Sequence, residues 1–281
     1  MPHLNGPFHR RLMPARADLA AAHLRGRVTA ARFAEGRPAR VAAPLLDLTL
    51  DPDAGAERAT QLLHGEVFVV YEERPDGLAW GQAQLDGYVG YVARDGLMAQ
   101  RGAGRPVTAT WSQVYDRPSV QGRVTGELPL LADVPVSGST GGFARLRGGG
   151  HVPLPHLQAV SGDPVTQALR FVGAPYLWGG RSIRGIDCSG LVQVAHLACG
   201  VAMPRDSDMQ AALVGDALLP AAPAARGDLV FWRGHVALMV DGETLVHANA
   251  HHMAVAVERL EDVERRVLDA RGGPIVARRR P

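Results

Sequence analysis

Two stretches of the same texture follow one another between residues 40 and 157. Each is a series of short β-branched and aromatic runs cut by turn-forming residues, and this tandem pattern restricts the first half of the chain to small antiparallel modules. The first series is VAAPLLDLTL, HGEVFVVYEE, GLAWGQAQ and GYVGYVA, with Asp-Pro, Pro-Asp-Gly and Asp-Gly between the runs. The second keeps the same order at an offset of about 60 residues: VTATWSQVYDRP, GELPLLADVPV, GGFARLRG and GGHVPLPHL. Turns at such intervals return each run beside its predecessor, so two copies of one small β-barrel are the simplest account. Ahead of them, residues 1–35 hold Leu12, Leu19, Ala22 and Leu24 among helix formers, with Asp18 placed to cap. That segment reads as a short helix or arm with too little apolar surface to fold alone.

Near Ser161 the period changes. Asp163 and Pro164 are the N-cap and first-position residues of a helix over ValThrGlnAlaLeuArgPheVal, which Gly173, Pro175 and the Gly179-Gly180 pair then end. Asp187 or Cys188 opens a second helix, SGLVQVAHLACG, whose Leu191, Val194, Ala195 and Ala198 recur at helical spacing before Gly200 stops it. DLVFW, HVALMV and TLVHANA follow as strands. The C-terminal part is therefore α+β, with helices early and an antiparallel sheet late. The divisions expected are an arm over 1–35, barrels over 36–99 and 100–158, and an α+β domain over 159–281.

Several function classes drop out. The chain has 46% hydrophobic and 21% charged residues, the balance of a globular protein that needs no staples. Its net charge is only +2, all 30 basic residues are Arg, and they alternate with acids except at Arg278, Arg279 and Arg280, so a nucleic-acid partner is not indicated. No apolar run reaches the ~18 residues of a membrane span, and the Arg-containing N-terminus lacks the core of a signal peptide, so a cytoplasmic location is expected. Oligomeric state has no signal in the sequence. The only cysteines, Cys188 and Cys199, are too few for a disulfide framework and on one helix would be ~16 Å apart at ~1.5 Å per residue.

The chemistry concentrates around Cys188. At a helix start, unpaired amides and the helix dipole favour a thiolate and lower the thiol's pKa, and the Cys188 amide is placed to donate to an oxyanion. Gly190 leaves space beside the sulfur. Cys199, inside the same helix, reads as a buried hydrophobe. The base candidate is His235, which opens a strand after the Arg233-Gly234 turn and is presented by a rigid β edge. Asp-Gly-Glu-Thr signals a hairpin after Val240. A three-residue connection would pair Val240 with Thr244 and His235 with Asn249, placing His247 on the same face as a diagonal neighbour, whereas a two-residue turn would point it away. The odd-length loop is the expectation, and His247 then orients the distal nitrogen of His235. His247, His251 and His252 suggest zinc, but no paired cysteine or HisGluXXHis spacing accompanies them, so neither metal nor other cofactor is expected.

Taken in order, ProTyrLeuTrpGlyGlyArgSer, AspCysSerGlyLeuValGln, ProArgAspSer, GlyAspLeuValPheTrp with GlyHisValAlaLeuMet, and HisAlaAsnAlaHisHis resemble the NlpC family of papain-like cell-wall peptidases over residues 160 to 281. LeuHisGlyGlu at Glu66, the Trp80 strand and GlyTyrValGlyTyrVal at 87 to 92 resemble bacterial SH3 domains, in which Tyr71, Trp80, Tyr88 and Tyr91 also serve as barrel core and rim. The implied fold is multidomain: two small all-β SH3-like barrels followed by an α+β papain-like peptidase domain. The resemblance implies a γ-D-glutamyl-L-diamino acid endopeptidase acting on peptidoglycan-derived peptides in cell-wall recycling. It assigns Cys188 as nucleophile, His235 as base, His247 as orienting residue, Tyr176 to the oxyanion and Trp178 to the cleft wall. Asp187, Ser189, Asp206 and Ser207 become the pocket for the first two substrate residues, closed by Glu66 and Tyr88 of the first SH3 domain so that a free N-terminal L-Ala is selected. A carboxylate at Asp187 would raise the thiol's pKa unless a cation such as that free ammonium neutralised it, and Asp187 also suits a helix N-cap. An amidase or acyltransferase on the same scaffold, and a silent peptidoglycan-binding adaptor, are the competing readings.

Overall fold

A computed structural model describes residues 9–100, 102, 104–219 and 222–281. The first eight residues of the expected arm lie outside these. The chain forms two compact units, 1–158 and 159–281.

The N-terminal unit repeats one strand order. Its first sheet runs, neighbour to neighbour, Arg58–Leu63, Leu45–Thr49, Val89–Ala93, Leu78–Ala83, Val67–Glu73, Arg37–Val41 and Leu97–Ala99. The second runs Val124–Pro129, Trp111–Tyr115, His151–Pro153, Phe143–Leu146 and Val136–Thr140. The first five strands of one match the five of the other in sequence order, so the tandem texture is a tandem topology. Phe68, Trp80, Tyr88, Leu48 and Leu63 fill the first core, and Val107, Leu128, Val134, Ala144 and Val152 the second. At Gly77 and Gly87 the chain takes left-handed φ values of 87° and 79°, which explains the turns at Pro-Asp-Gly and Asp-Gly. Arg40 joins the copies, donating to Gly65 O and to the Asp133 carboxylate, each at 2.5 Å.

The segment before the first sheet is an arm rather than a capped helix. Among its described residues only His9–Leu12 is α-helical, Leu19–Ala21 is a strand beside Arg32–Ala34, and a 3₁₀ turn covers Ala22–Leu24. Asp18 binds the Arg16 guanidinium at 2.8 and 3.0 Å instead of capping. Arg16 in turn lies 4.3 Å over the Trp80 ring and bonds Tyr91 Oη and Glu72. Stacking and ion pairing thus fasten the arm where helix propensity alone could not hold it.

The C-terminal unit is α+β as its sequence implies. Helix Pro164–Leu169 begins at Asp163, whose carboxylate accepts from Thr166 N at 2.8 Å, a cap worth about 1 kcal/mol. A six-stranded antiparallel sheet has the order Asp216–Ala217, Ala277–Arg280, Leu229–Trp232, His235–Met239, Thr244–Asn249, Ala254–Arg259. The helices Cys188–Ala198, Ser207–Leu213 and Leu260–Asp269 also belong to the unit. Val263 of the last joins Val230, Trp232, Ala237, Met239 and Leu245 in one core. The basic C-terminal run is a sheet strand: Arg280 binds the buried Asp228 at 2.7 and 2.9 Å, and Arg278 and Arg279 donate to backbone carbonyls. No described helix is long and apolar enough to cross a membrane.

Candidate active site

A short hairpin delivers Cys188 to its helix tip. The strands Arg181–Ser182 and Gly185–Ile186 pair, and Asp187 then caps the helix by accepting from Gly190 N at 2.7 Å. Gly190 has a use different from the one its sequence position suggested: a Cβ there would meet Gly180 O at 2.4 Å and Asp187 Oδ1 at 2.8 Å, so its bareness admits the cap and the preceding loop. The other Asp187 oxygen accepts from Gly179 N at 2.8 Å.

Asp187 is also already neutralised. Arg205, 1% exposed, donates to its two oxygens at 3.0 and 2.7 Å and to Ser189 Oγ at 3.0 Å. Ser189 Oγ in turn donates to Asp187 at 3.3 Å. The cation beside this carboxylate comes from the chain itself, seventeen positions beyond the nucleophile. Asp187 and Ser189 thus help to hold the loop, and Arg205 is a residue that sequence reasoning missed.

The sulfur lies against the base strand. Cys188 is buried, and the backbone N–H of Val236, next in chain to His235, hydrogen-bonds to it. The helix tip does not lower its pKa as expected. Burial, followed by the Asp187 carboxylate, pushes the thiol up to about 12, outweighing the amides of Val236 and Ser189 and the charge of Arg205. Burial, with His247 and Arg266 nearby, pushes the His235 imidazole down to about 3. The resting pair is a neutral thiol and a neutral imidazole.

The hairpin has the odd-length connection. Leu238 pairs with Val246 and Met239 with Leu245, and Val240 N donates to Thr244 O, leaving 241–243 as the turn. His235 and His247 consequently share a face, and His235 Nε2 is 2.8 Å from His247 Nδ1. Beyond them lie two groups the sequence argument did not name. His247 Nε2 is 2.8 Å from Glu258 Oε2, and Arg266 donates to both Glu258 oxygens at 2.6 and 2.9 Å. Burial alone would raise the Glu258 pKa, but the hydrogen bonds from Arg266 and His247 bring it to about 2. Burial lowers the pKa of His247 against the pull of Glu258. Trp232, paired with His235 across the adjoining strand, sets its ring 5.8 Å from that imidazole.

The remaining expected residues divide. Tyr176 bridges to Ile186, and its pKa is raised to about 12 by burial and then by Cys188 and Asp187, so its hydroxyl stays a proton donor near the sulfur. Trp178 is 61% exposed. Asp206 occupies the N-cap position of helix Ser207–Leu213 without making a capping bond, directly after Arg205, and Ser207 is the first residue of that helix. Glu66 and Tyr88 belong to the N-terminal unit, where Glu66 accepts from Leu63 N at 3.1 Å and Tyr88 is buried. Cys199 is the C-cap residue, partly exposed with its thiol 3.7 Å from Gly162 O, rather than a buried hydrophobe. Among the described residues no His, Cys, Asp and Glu form a metal-holding group of three or more.

Comparison with known proteins agrees with this architecture. A model of the NlpC/P60 family matches residues 173–271, and one of the bacterial dipeptidyl-peptidase Sh3 domain matches residues 49–97. Over 254 residues the chain is 27% identical to dipeptidyl-peptidase 6 of Lysinibacillus sphaericus, covering 79% of this chain and 91% of that protein. It is 26% identical to the gamma-D-glutamyl-L-lysine dipeptidyl-peptidase of Bacillus subtilis over 217 residues, 67% of this chain and 71% of the other. The crystal structure of an NlpC/P60 family protein from Bacillus cereus has the same fold, with a TM-score of 0.72 at 18% identity over 86% of this chain and 99% of that one.

Proposed function

We propose that this chain, a cysteine peptidase carrying an NlpC/P60 domain behind a bacterial dipeptidyl-peptidase SH3 domain, hydrolyses the bond between γ-D-Glu and the L-diamino acid of peptidoglycan stem peptides. The observation that carries the reading is one continuous arrangement. A sulfur at a helix tip accepts from the amide beside His235, and His235 is bonded through His247 to an ionised carboxylate.

In this reading Cys188 Sγ attacks the γ-carbonyl carbon of D-Glu while His235 takes the thiol proton. The imidazolium then protonates the leaving amine of the diamino acid, and a thioester to L-Ala-γ-D-Glu remains. Water, deprotonated by His235, adds to the thioester and releases the dipeptide and the thiol. The Cys188 amide and the Tyr176 hydroxyl donate to the oxyanion of both tetrahedral intermediates. Because thiol and imidazole are both neutral at rest, proton transfer accompanies attack, and support of the imidazolium by His247 matters more than a preformed thiolate.

Recognition of a free N-terminal ammonium falls to Asp187, Ser189, Asp206 and Ser207, with the Asp187 carboxylate held in place by Arg205 and two backbone amides. Trp178, exposed just ahead of the loop bonded to Asp187, is read as the cleft wall. The setting that yields such short free peptides is turnover of cell-wall fragments inside the cell.

The test is incubation with L-Ala-γ-D-Glu-diaminopimelate, its Lys counterpart and their N-acetylated forms, with products followed by mass spectrometry. Release of L-Ala-γ-D-Glu from the free peptides at least tenfold faster than from the acetylated ones is expected. Equal rates would remove the ammonium pocket, and no cleavage of any would remove the peptidase reading.

A further inference from the structure

We propose that Glu258 is a positioning residue that decides which nitrogen of each catalytic-site histidine carries its proton, keeping His235 Nδ1 bare for the Cys188 thiol. The inference rests on the cysteine-peptidase reading and adds to it a means by which the base is kept in its working form.

The series of hydrogen bonds begins at Arg266. Its guanidinium donates to both Glu258 oxygens, at 2.6 and 2.9 Å, so the carboxylate is ionised and accepts only. His247 Nε2, 2.8 Å from Glu258 Oε2, must then be the donor. A neutral imidazole has a single N–H, so His247 Nδ1 is left as an acceptor. His235 Nε2, 2.8 Å from that acceptor, must donate in its turn, which leaves Nδ1 of His235 unprotonated. Both rings are held neutral by burial, so no second proton upsets the sequence. The other groups facing this carboxylate are His252, whose Nε2 is 3.5 Å from Oε1, and Asp262, which acts on Arg266 from the same helix. One polarity of hydrogen bonding therefore runs from a fixed guanidinium to the His235 nitrogen that the proposed mechanism uses as base.

The isosteric change Glu258→Gln distinguishes this role from simple packing. Arg266 would claim the amide oxygen, turning the NH₂ toward His247 Nε2. His247 would then protonate on Nδ1 and donate to His235 Nε2, driving the His235 proton onto Nδ1, where it blocks acceptance from the thiol. Loss of the correct tautomer behind a catalytic histidine costs about 10⁴ in kcat in the serine-protease triad. A fall of roughly 10²–10⁴ in kcat with little change in KM is expected here. The double variant Glu258→Gln with Arg266→Met, in which nothing fixes the amide orientation, should recover about tenfold or more over Glu258→Gln alone.

The deciding measurement is ring-nitrogen NMR of the ¹⁵N-histidine-labelled full chain, with kcat on the free tripeptide beside it. The wild-type protein should show Nε2–H on both His235 and His247, and Glu258→Gln should show Nδ1–H on both. Wild-type Nδ1–H on His235, or a Glu258→Gln variant with unchanged kcat, would overturn the proposal; if Glu258→Gln does not fold, the wild-type spectrum alone decides. The spectrum needs no substrate, so a wild type with the stated tautomers but no cleavage would sink the peptide assignment and leave this one standing.

Discussion

Asp187 and Glu258 are both buried or nearly so, both held by an arginine, and both stand behind a reacting group, Asp187 next to Cys188 in the chain and Glu258 behind His235 through His247, yet they are wired differently. Asp187 accepts from two backbone amides and a hydroxyl as well as from Arg205, so its hydrogen bonds end in the loop that shapes the helix tip. Glu258 accepts from Arg266 and from one imidazole, and through that imidazole its charge reaches the base. The Asp187 pair is architecture and slightly hinders the thiol. The Glu258 pair is directional and assists the histidine. A carboxylate–arginine pair near a nucleophile is thus defined by what else the carboxylate accepts from, not by its distance to the reacting atom.

The contrast makes opposite demands on the two arginines. Arg205→Met would leave Asp187 buried and without its cation, and should cost about 3–5 kcal/mol of C-terminal-unit stability in urea unfolding. Arg266, whose side chain is 28% exposed, should cost only about 1–2 kcal/mol when changed to Met, its effect appearing in turnover. Equal stability losses at the two positions would erase the distinction.

A smaller effect is expected in the pH dependence of stability. His235 titrates near 6.5 when unfolded but only near 3 when folded. Above about pH 6.5 it binds a proton in neither state; between there and about 3 the unfolded chain takes up a proton that the folded chain does not. Its contribution is therefore fully present above pH 6.5 and is lost as pH falls through that window. Glu258, brought to about 2, adds its own loss only below about 4.5. Urea midpoints compared for wild type and His235→Gln between pH 7 and 5 should show the steeper fall in the wild type. Parallel curves would mean that the imidazole is not held neutral by burial.

Much of the base side was legible from alternation and turn chemistry. Placing Asp241-Gly242-Glu243 as an odd connection was enough to bring His235 and His247 to one face, because strand side chains alternate strictly. The tandem barrels were legible for the same reason, since turn residues recur in one order. Glu258 and Arg266 were missed although a signal existed: in Ala254–Arg259 the alternation places Glu258 on the face of Ala254 and Ala256, and Ala256 pairs with His247. Reading it requires a strand that has few strong β-formers beside it, and a helix position eight residues on. Arg205 left no comparable trace, because only the folded loop brings ProArgAspSer to the Asp187 carboxylate. The thiol's pKa was misjudged for a related reason: a helix tip supplies partial charges, but the degree of burial that outweighs them is a tertiary property. Asp18 failed as a cap because Arg16, recruited by Trp80 and Glu72, competes for its carboxylate.

The central claim is that Cys188 carries the acyl group of the substrate. Acid quenching during turnover of L-Ala-γ-D-Glu-diaminopimelate, followed by digestion and mass spectrometry, tests it directly. The account predicts an L-Ala-γ-D-Glu adduct on the peptide containing Cys188, none on that containing Cys199, and no turnover in Cys188→Ala; sustained cleavage by Cys188→Ala would contradict it.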